Sequence, residues 1–477
     1  MFETARAAVE AALAGGAVYA DARVVTSRRE ELLGRNGEME AADRSEAAGV
    51  GVRALIGSSW GFAATSDLEA AESAGSRAAA IAHASALVPG PDLHLAEVPA
   101  VQDRYVTPVV EDPFAVPLSE KADLVVGVTD TMASVQGIKV AHAYLRFWET
   151  EKYLVSSQGH EIHQRLVESG GGMDATAVGE TETQRRSYPQ SAGDYRTGGY
   201  EVVREFDLPG NAGRIAEEAV ALLSAPPCPS GETDLILESS QLALQIHESV
   251  GHAIELDRIL GWEAAFAGTS FLDLGELGRL RYGSELMNVV ADATIPGALA
   301  TFGYDDEGTA AQRVDIVRDG VWVGVLSGRD SAHLAGLPPG GMVRADGFNR
   351  LPMVRMTNVG LLPGDSSLEE IIASTRSGVL MSTNRSWSID DKRLNFQFGC
   401  ELGWEVADGK LGRMVRNPTY TGITPRFWGS LDMLAGSEEW RPWGTPNCGK
   451  GQPIQIGHTG HPASPARFRG VRVGVLG

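Results

Sequence analysis

The chain has 477 residues, 43% of them hydrophobic and 22% charged, which suits a soluble globular protein with room for two to four domains and a large core. Its formal net charge of −21 argues against nucleic acid and anionic membranes as partners. No apolar run reaches the roughly 18 residues of a transmembrane helix, so none is expected.

The opening Met-Phe-Glu-Thr-Ala-Arg reads as the start of an Ala-rich amphipathic helix over 3–15, not as a secretory signal. A strand is expected over Tyr19–Val25. Ala48–Ala54 and Trp60–Phe62 read as strand–turn–strand around Gly57-Ser-Ser59. Asp67 is placed to cap a helix running to about Ala86, and Ser119 one running to about Ser134. Ile138–Phe147, Lys152–Ser156, Glu161–Glu168 and Met173–Val178 look like an antiparallel meander, and Asn211 starts a helix to Leu223. The Pro-rich stretch Ala225–Gly231 marks a domain boundary. An α+β protein is therefore predicted, with an N-terminal domain over 1–224 and a mostly antiparallel, β-rich second domain over 225–477. In the second domain, a strand Thr233–Leu237 leads into a helix at about Ser239–Leu260, and Asp319-Gly320 between apolar segments signals a hairpin.

That helix contains His247-Glu-Ser-Val-Gly-His252, the pattern HExxxH. The zinc-protease motif HExxH puts its histidines at i and i+4 on one helical face, with the glutamate as base. One extra residue leaves the imidazoles about 140° apart in a regular helix, too far to share an ion. A π-bulge would bring them within roughly 50°. Gly251 is the expected place for the helix to loosen. The alternative is a helix carrying two incidental histidines.

Catalytic zinc usually takes three protein ligands and keeps one position open. The residues alone leave the third undecided among Glu255, Asp257, His333, Cys448, His458 and His461. Cys448 lies in the Gly- and Pro-containing Thr445-Pro-Asn-Cys-Gly-Lys-Gly-Gln452, where an inert buried thiol is the simpler reading of the residues alone. Cys228 and Cys400 read as inert. Three scattered cysteines exclude a disulfide framework and fit a reducing, cytoplasmic setting.

His247-Glu-Ser-Val-Gly-His252 with Glu255 and Asp257 resembles the HEAxGHxxExD signature of the TldD branch of the TldD/PmbA peptidase family. Gly49-Val-Gly-Val-Arg-Ala54 with Trp60-Gly-Phe62, Arg355-Met-Thr-Asn358 and Cys448-Gly-Lys450 match as well, in order along nearly the whole chain. Ser249 stands where alanine is common, and Thr445-Pro-Asn replaces a Gly-rich run. The resemblance implies zinc held by His247, His252 and Cys448, Glu248 as the catalytic carboxylate, and dimers enclosing the site, either with a TldE/PmbA-like paralogue or with a second copy. The expected function is a zinc metallopeptidase acting on short or unfolded peptides. The rivals are an amide hydrolase maturing a peptide natural product and a non-catalytic peptide-binding partner subunit. Glu255 or Asp257 could orient a ligand imidazole, and Tyr282, Tyr304, Tyr420 and His458 are candidate oxyanion donors.

Overall fold

The computed structural model describes residues 1–88, 90–266 and 268–474. Its first half is one eight-stranded sheet in the order β3–β2–β1–β5–β6–β4. The strands are β1 (Tyr19–Arg35), β2 (Glu38–Ile56), β3 (Ser59–Thr65), β4 (Gln102–Val106), β5 (Ile138–Ser156) and β6 (Glu161–Val178). Beyond β5, the outer edge of β6 is tiled in turn by β4, by β8 (Asp194–Thr197) and by β7 (Thr183–Tyr188). The predicted strand pairs on either side of residues 148 and 170 are thus single strands of 19 and 18 residues. Alternation puts one face of the sheet under helices. Ala20, Ala22 and Val24 meet α1 (Phe2–Ala14) and α2 (Ala71–Ser85). Leu32, Ala143, Leu145 and Phe147 meet α3 (Leu118–Ala133), α4 (Glu201–Phe206) and α5 (Leu208–Ser224). Asp67 caps a 3-10 turn that runs into α2. The other two expected caps move: α3 begins after Pro117, one turn edge earlier than Ser119, and Asp207, not Asn211, caps α5.

The opposite face of the sheet grips the second half of the chain, and this is where the first matched stretch acts. A Cβ on Gly49 would lie 2.4 Å from the Phe348 ring, and one on Gly51 would lie 2.1 Å from the Phe348 carbonyl oxygen. Only glycine admits that approach. Arg53 then pairs with Asp21 at 2.6 Å and with Glu307 at 3.0 Å, while Asp306 takes Arg23 at 3.0 Å and Lys152 at 2.7 Å.

The second half is built around a closed barrel. Its strands are β9 (Gly231–Leu237), β16 (Ser377–Ile389), β17 (Asn395–Ala407), β19 (Thr419–Ile423) and β23 (Ala466–Val473). They pair in the ring β9–β16–β17–β19–β23–β9, parallel only between β9 and β16. β18 (Lys410–Arg416) extends β17, and β20 (Leu431–Leu434) extends β23. Beside the barrel lies a four-stranded sheet of β12 (Val321–Trp322), β11 (Arg313–Arg318), β10 (Val289–Asp292) and β15 (Val359–Leu361). Two hairpins complete it: β13 (Val343–Arg344) with β14 (Met353–Val354), and β21 (Arg441–Lys450) with β22 (Gln455–Ala463). Asp319 and Gly320 both have left-handed φ, as the hairpin signal requires.

Alternating residues of the barrel strands, among them Leu235, Leu237, Val379 and Met381, join the core that contains the metal-site helix, whereas Ile236 and Leu380 face a helix over Leu368–Ala373. α6 (Ser239–Ile246) leaves β9 directly and is buried on every side except at Leu244. Its two glutamines meet a buried tyrosine hydroxyl. The Tyr420 hydroxyl donates to Gln245 and accepts from Gln241, each at 2.9 Å. Among the described residues, no helix is long and apolar enough to cross a membrane.

Candidate metal centre

α6 does not continue to residue 260 as one regular helix. His247–Gly251 is a π-helical turn, with the His252 N–H donating to the His247 carbonyl at 3.1 Å, and a separate short helix covers Leu256–Ile259. The wider turn brings the His247 and His252 rings to 4.8 Å between centroids, perpendicular to each other. The surroundings stabilise it. The Ser249 carbonyl accepts from the Tyr282 hydroxyl at 2.5 Å, and the Ser249 hydroxyl accepts from Trp428 Nε1 at 3.0 Å. The hydroxyl that serine adds in place of alanine thus has partners in Trp428 and Gln245. Gly251 contributes in a different way from that expected. Its φ is not left-handed; instead, a Cβ there would sit 2.3 Å from the Met356 sulfur. The residue is small because the Arg355-Met-Thr-Asn358 segment presses on the turn.

Cys448 arrives on β21, at the bulge where the β21–β22 register shifts. Its carbonyl accepts from Arg355, whose guanidinium also donates to the Gln455 carbonyl at 3.2 Å. This clamp puts the Cys448 sulfur 3.6 Å from His252 Nε2. The donor atoms of His247, His252 and Cys448 all lie within 4.8 Å of one another, and all three residues are buried. Bonds of about 2.3 Å to sulfur and 2.05 Å to nitrogen imply a tetrahedral S···N edge of about 3.6 Å, so the Cys448–His252 pair already has a zinc-sized spacing.

The hydrogen-bond partners orient both imidazoles toward that point. His461 Nδ1 donates to the Val359 carbonyl at 3.0 Å, leaving its Nε2 to accept from His247 Nδ1 at 2.7 Å. His252 Nδ1 donates to Glu255 at 3.0 Å. Each ligand-candidate ring thus has its Nε2 lone pair free to face the metal position. Burial holds His247 and His252 below the ordinary histidine pKa, and it holds His461 well below. Burial alone would push the Cys448 thiol up, but His252 and Arg355 more than offset it and bring the thiol below its usual value. Neutral imidazoles and an acidic thiol are the donor states a divalent metal takes.

Lys450 ties the matched motifs together. It lies two residues beyond Cys448 and so on the same side of the strand. Fully buried, its ammonium is 2.8 Å from both Asp257 oxygens, 2.8 Å from the Val354 carbonyl and 3.3 Å from Glu255. Burial alone would raise the Glu255 pKa; Lys450, His252 and Arg258 override it and keep the carboxylate well below its usual range. Glu255 therefore orients the His252 imidazole, whereas Asp257 holds the lysine that holds Glu255.

The site opens into a cleft of about 920 Å³, open solvent included, walled by Trp387, Ser388, Ile389, Arg393, Thr445 and Asn447. Glu248 faces it and receives Arg393 Nη1 at 2.6 Å. The four expected oxyanion donors are elsewhere. Tyr282 and Tyr420 are spent on α6 and the π-turn, Tyr304 bonds Asp103 of the first sheet, and His458 bonds Glu168. Of the other candidate third ligands, His333 meets His94 edge to face and does not line the cleft, and His461 backs His247. Sequence reasoning missed Arg393, which lies in a charged turn with no motif around it, and the part played by His461.

Comparison with known proteins agrees over the whole length. Residues 20–82 match the profile of PmbA/TldA metallopeptidase domain 1, 111–225 its central domain and 230–474 its C-terminal domain. A metalloprotease of Methanothermobacter thermautotrophicus is 30% identical over 446 residues, 93% of each chain. One from Methanocaldococcus jannaschii is 28% identical, over 93% of this chain and 94% of its own. The zinc metalloprotease TldD homologue of Saccharolobus solfataricus is 24% identical over 48% of this chain and 50% of its own. The fold matches a Thermotoga maritima protein (TM-score 0.78, 17% identity, 99% of each chain) and TldE from Thermococcus kodakarensis (TM-score 0.73, 16% identity, 98% and 99%). With family profiles covering most of its length and metalloproteases as its relatives, the chain belongs to the PmbA/TldD metallopeptidase family.

Proposed function

We propose that this metalloprotease is a zinc peptidase in which His247, His252 and Cys448 hold the ion and Glu248 is the general base. The observation that carries the reading is the convergence of two buried imidazoles and a buried thiol beside a cleft-facing carboxylate. Bound zinc would polarise the scissile carbonyl and make water acidic enough to attack near neutral pH. The chain's own part is proton transfer. Glu248 takes a proton from the water as its oxygen bonds to the carbonyl carbon, then delivers that proton to the nitrogen as the C–N bond breaks.

The substrate we infer is peptide without tertiary structure. The β9–β16 ladder ends at Met381, whereas β16 continues along β17 to Ile389, so the far half of β16 keeps one edge without a ladder among the described residues. Trp387, Ser388 and Ile389 of that half wall the cleft. An extended peptide can pair its main chain with such an edge with little side-chain selectivity. We also place the chain in a two-chain assembly, with a TldE-like paralogue or a second copy. Closed two-fold pairing is the commonest arrangement, and the first half of β2, Glu38–Ala48, is exposed throughout, with β1 its only ladder partner among the described residues.

The test is metal analysis of the purified protein together with cleavage of one protein in folded and in unfolded form. One zinc per site, loss of activity on chelation and cleavage of the unfolded form alone are expected. Glu248→Gln should keep the zinc and lose about 10²–10⁴-fold in rate. Equal cleavage of both forms would overturn the substrate class, and a zinc-free Glu248→Gln would overturn the assignment of its role.

A further inference from the structure

We propose that Arg393 is a catalytic residue of this site, the donor that takes the negative charge developing on the substrate carbonyl oxygen; this rests on the peptidase reading above. Three observations place it there. First, Arg393 Nη1 is 2.6 Å from Glu248 Oε2. The base must reach both the attacking water and the leaving nitrogen, so a group one hydrogen bond from it stands at the scissile bond and not in a remote subsite. Second, the guanidinium is only partly used. Its Nε is buried with no hydrogen-bond partner among the described residues, and the single partner at Nη1 is Glu248. A buried donor left without a partner is costly and calls for explanation. A ligand oxygen arriving in the cleft would supply the missing partner. Third, the other cleft side-chain donors are weaker candidates: Ser388, Thr445 and Asn447 are neutral, and the tyrosines are committed elsewhere.

The chain holds this side chain with backbone effort. Arg393 sits in the loop between β16 and β17 at φ +63°, a left-handed conformation unusual for arginine. Its N–H donates to the Asp390 carbonyl at 2.9 Å and its carbonyl accepts from Thr424 at 2.7 Å. Asp390 in turn accepts from the Leu394 and Asn395 N–H groups. Residues 269–271 brace the same loop, with the Thr269 and Phe271 N–H groups bonded to the carbonyls of Asp391 and Lys392. A turn fixed from both sides keeps the donor preorganised, which is the condition for electrostatic stabilisation of a transition state.

In the reaction the guanidinium stays protonated. As the water oxygen bonds to the carbonyl carbon, the carbonyl π pair moves onto its oxygen, and Arg393 N–H groups donate to that oxygen. When the C–N bond breaks the pair returns, the proton on Glu248 goes to the nitrogen, and Arg393 goes back to Glu248.

The experiment compares wild type, R393K and R393M as full-length, zinc-loaded protein. The readouts are zinc content, kcat and KM on an unfolded peptide, and inhibition by a phosphinic peptide that mimics the charged tetrahedral state. Expected for R393M are unchanged zinc, KM within about threefold, and kcat down by about 10²–10³, the usual cost of one oxyanion donor. The phosphinic peptide should lose affinity by a similar factor, since it resembles the transition state. R393K, which keeps the charge, should fall between, and guanidinium ions should partly restore R393M. If kcat falls while phosphinic-peptide affinity stays within threefold, Arg393 merely orients Glu248 and the inference is overturned. A loss in kcat below about fivefold overturns it too. A wild type that holds no zinc and cleaves no peptide would instead sink the peptidase reading itself.

Discussion

Replacing Lys450 by methionine probes the support beneath the metal centre without touching a metal-facing group. The ammonium is fully buried and serves Asp257 at 2.8 Å and Glu255 at 3.3 Å. At 2.8 Å and an effective dielectric constant of about 20, each close charge contact is worth about 6 kcal/mol before desolvation. Removing one partner of a buried pair typically costs about 3–5 kcal/mol, because the charge left behind is uncompensated. Lys450→Met should therefore destabilise the barrel domain by about that much, read as a lowered urea midpoint. Glu255 would lose its anchor, and with it the orientation of His252. Zinc affinity, measured by competition with a chromophoric chelator, should fall about 10–100-fold, the range seen for lost outer-shell partners. Pairing the change with Asp257→Leu should recover much of the stability, since apolar replacement of a whole buried pair is often neutral. It should not recover the zinc affinity, because Glu255 still lacks its lysine. A Lys450→Met protein with zinc affinity within twofold of wild type and an unshifted midpoint would refute this account of the motif.

Cys448→Ser should sharply weaken zinc binding, while Cys228→Ser and Cys400→Ser should leave it unchanged, as shown by metal analysis after dialysis; equal loss in all three would point to a general folding defect. Gly251→Ala should destabilise by about 1–3 kcal/mol through overpacking on Met356, with Met356→Ala restoring part of the loss in thermal melts. Burial alone would push the Asp306 carboxyl up, yet Lys152 and Arg23 bring it down to about 2 from an unfolded value of 3.8. Because the folded value is the lower one, the contribution, about 2.5 kcal/mol, is present above pH ~4 and lost as pH falls toward 2. Asp306→Asn should flatten that part of the acid-unfolding curve, and an unchanged curve would count against the interdomain pairing.

The reactive half of the site was legible because its residues are neighbours. His247, Glu248 and His252 are separated by so few positions that helical geometry showed what sharing one ion would need, a π-turn, and the turn is there. Cys448 was legible only through resemblance, because nothing in the local pattern reports a contact made across 196 positions. Its strand reads as a loop: Arg441-Pro-Trp-Gly-Thr-Pro-Asn-Cys-Gly-Lys450 has no alternation, and it is extended because β22 pairs with it. β1 and β2 outran their predicted lengths for a related reason. Glu38–Ala48 is exposed on both faces, so no buried face imposes a period of two on the residues. Arg393 left no signal at all, since its place depends on a turn fixed by Asp390 and Thr424.

The order of the barrel strands also has a consequence in time. β9, which launches the histidine helix, needs β23 as its antiparallel neighbour, and the thiol for the site follows the second histidine by 196 residues. At ribosomal rates of about 5–20 residues per second, that gap lasts on the order of 10–40 s. Throughout it, the nascent chain carries two imidazoles and a carboxylate with neither the sulfur nor a sealed barrel around them. With Cys448 as the proposed third ligand, hydrolytic power would arrive with the final strands, and an unfinished copy released early would be a harmless fragment rather than a loose protease.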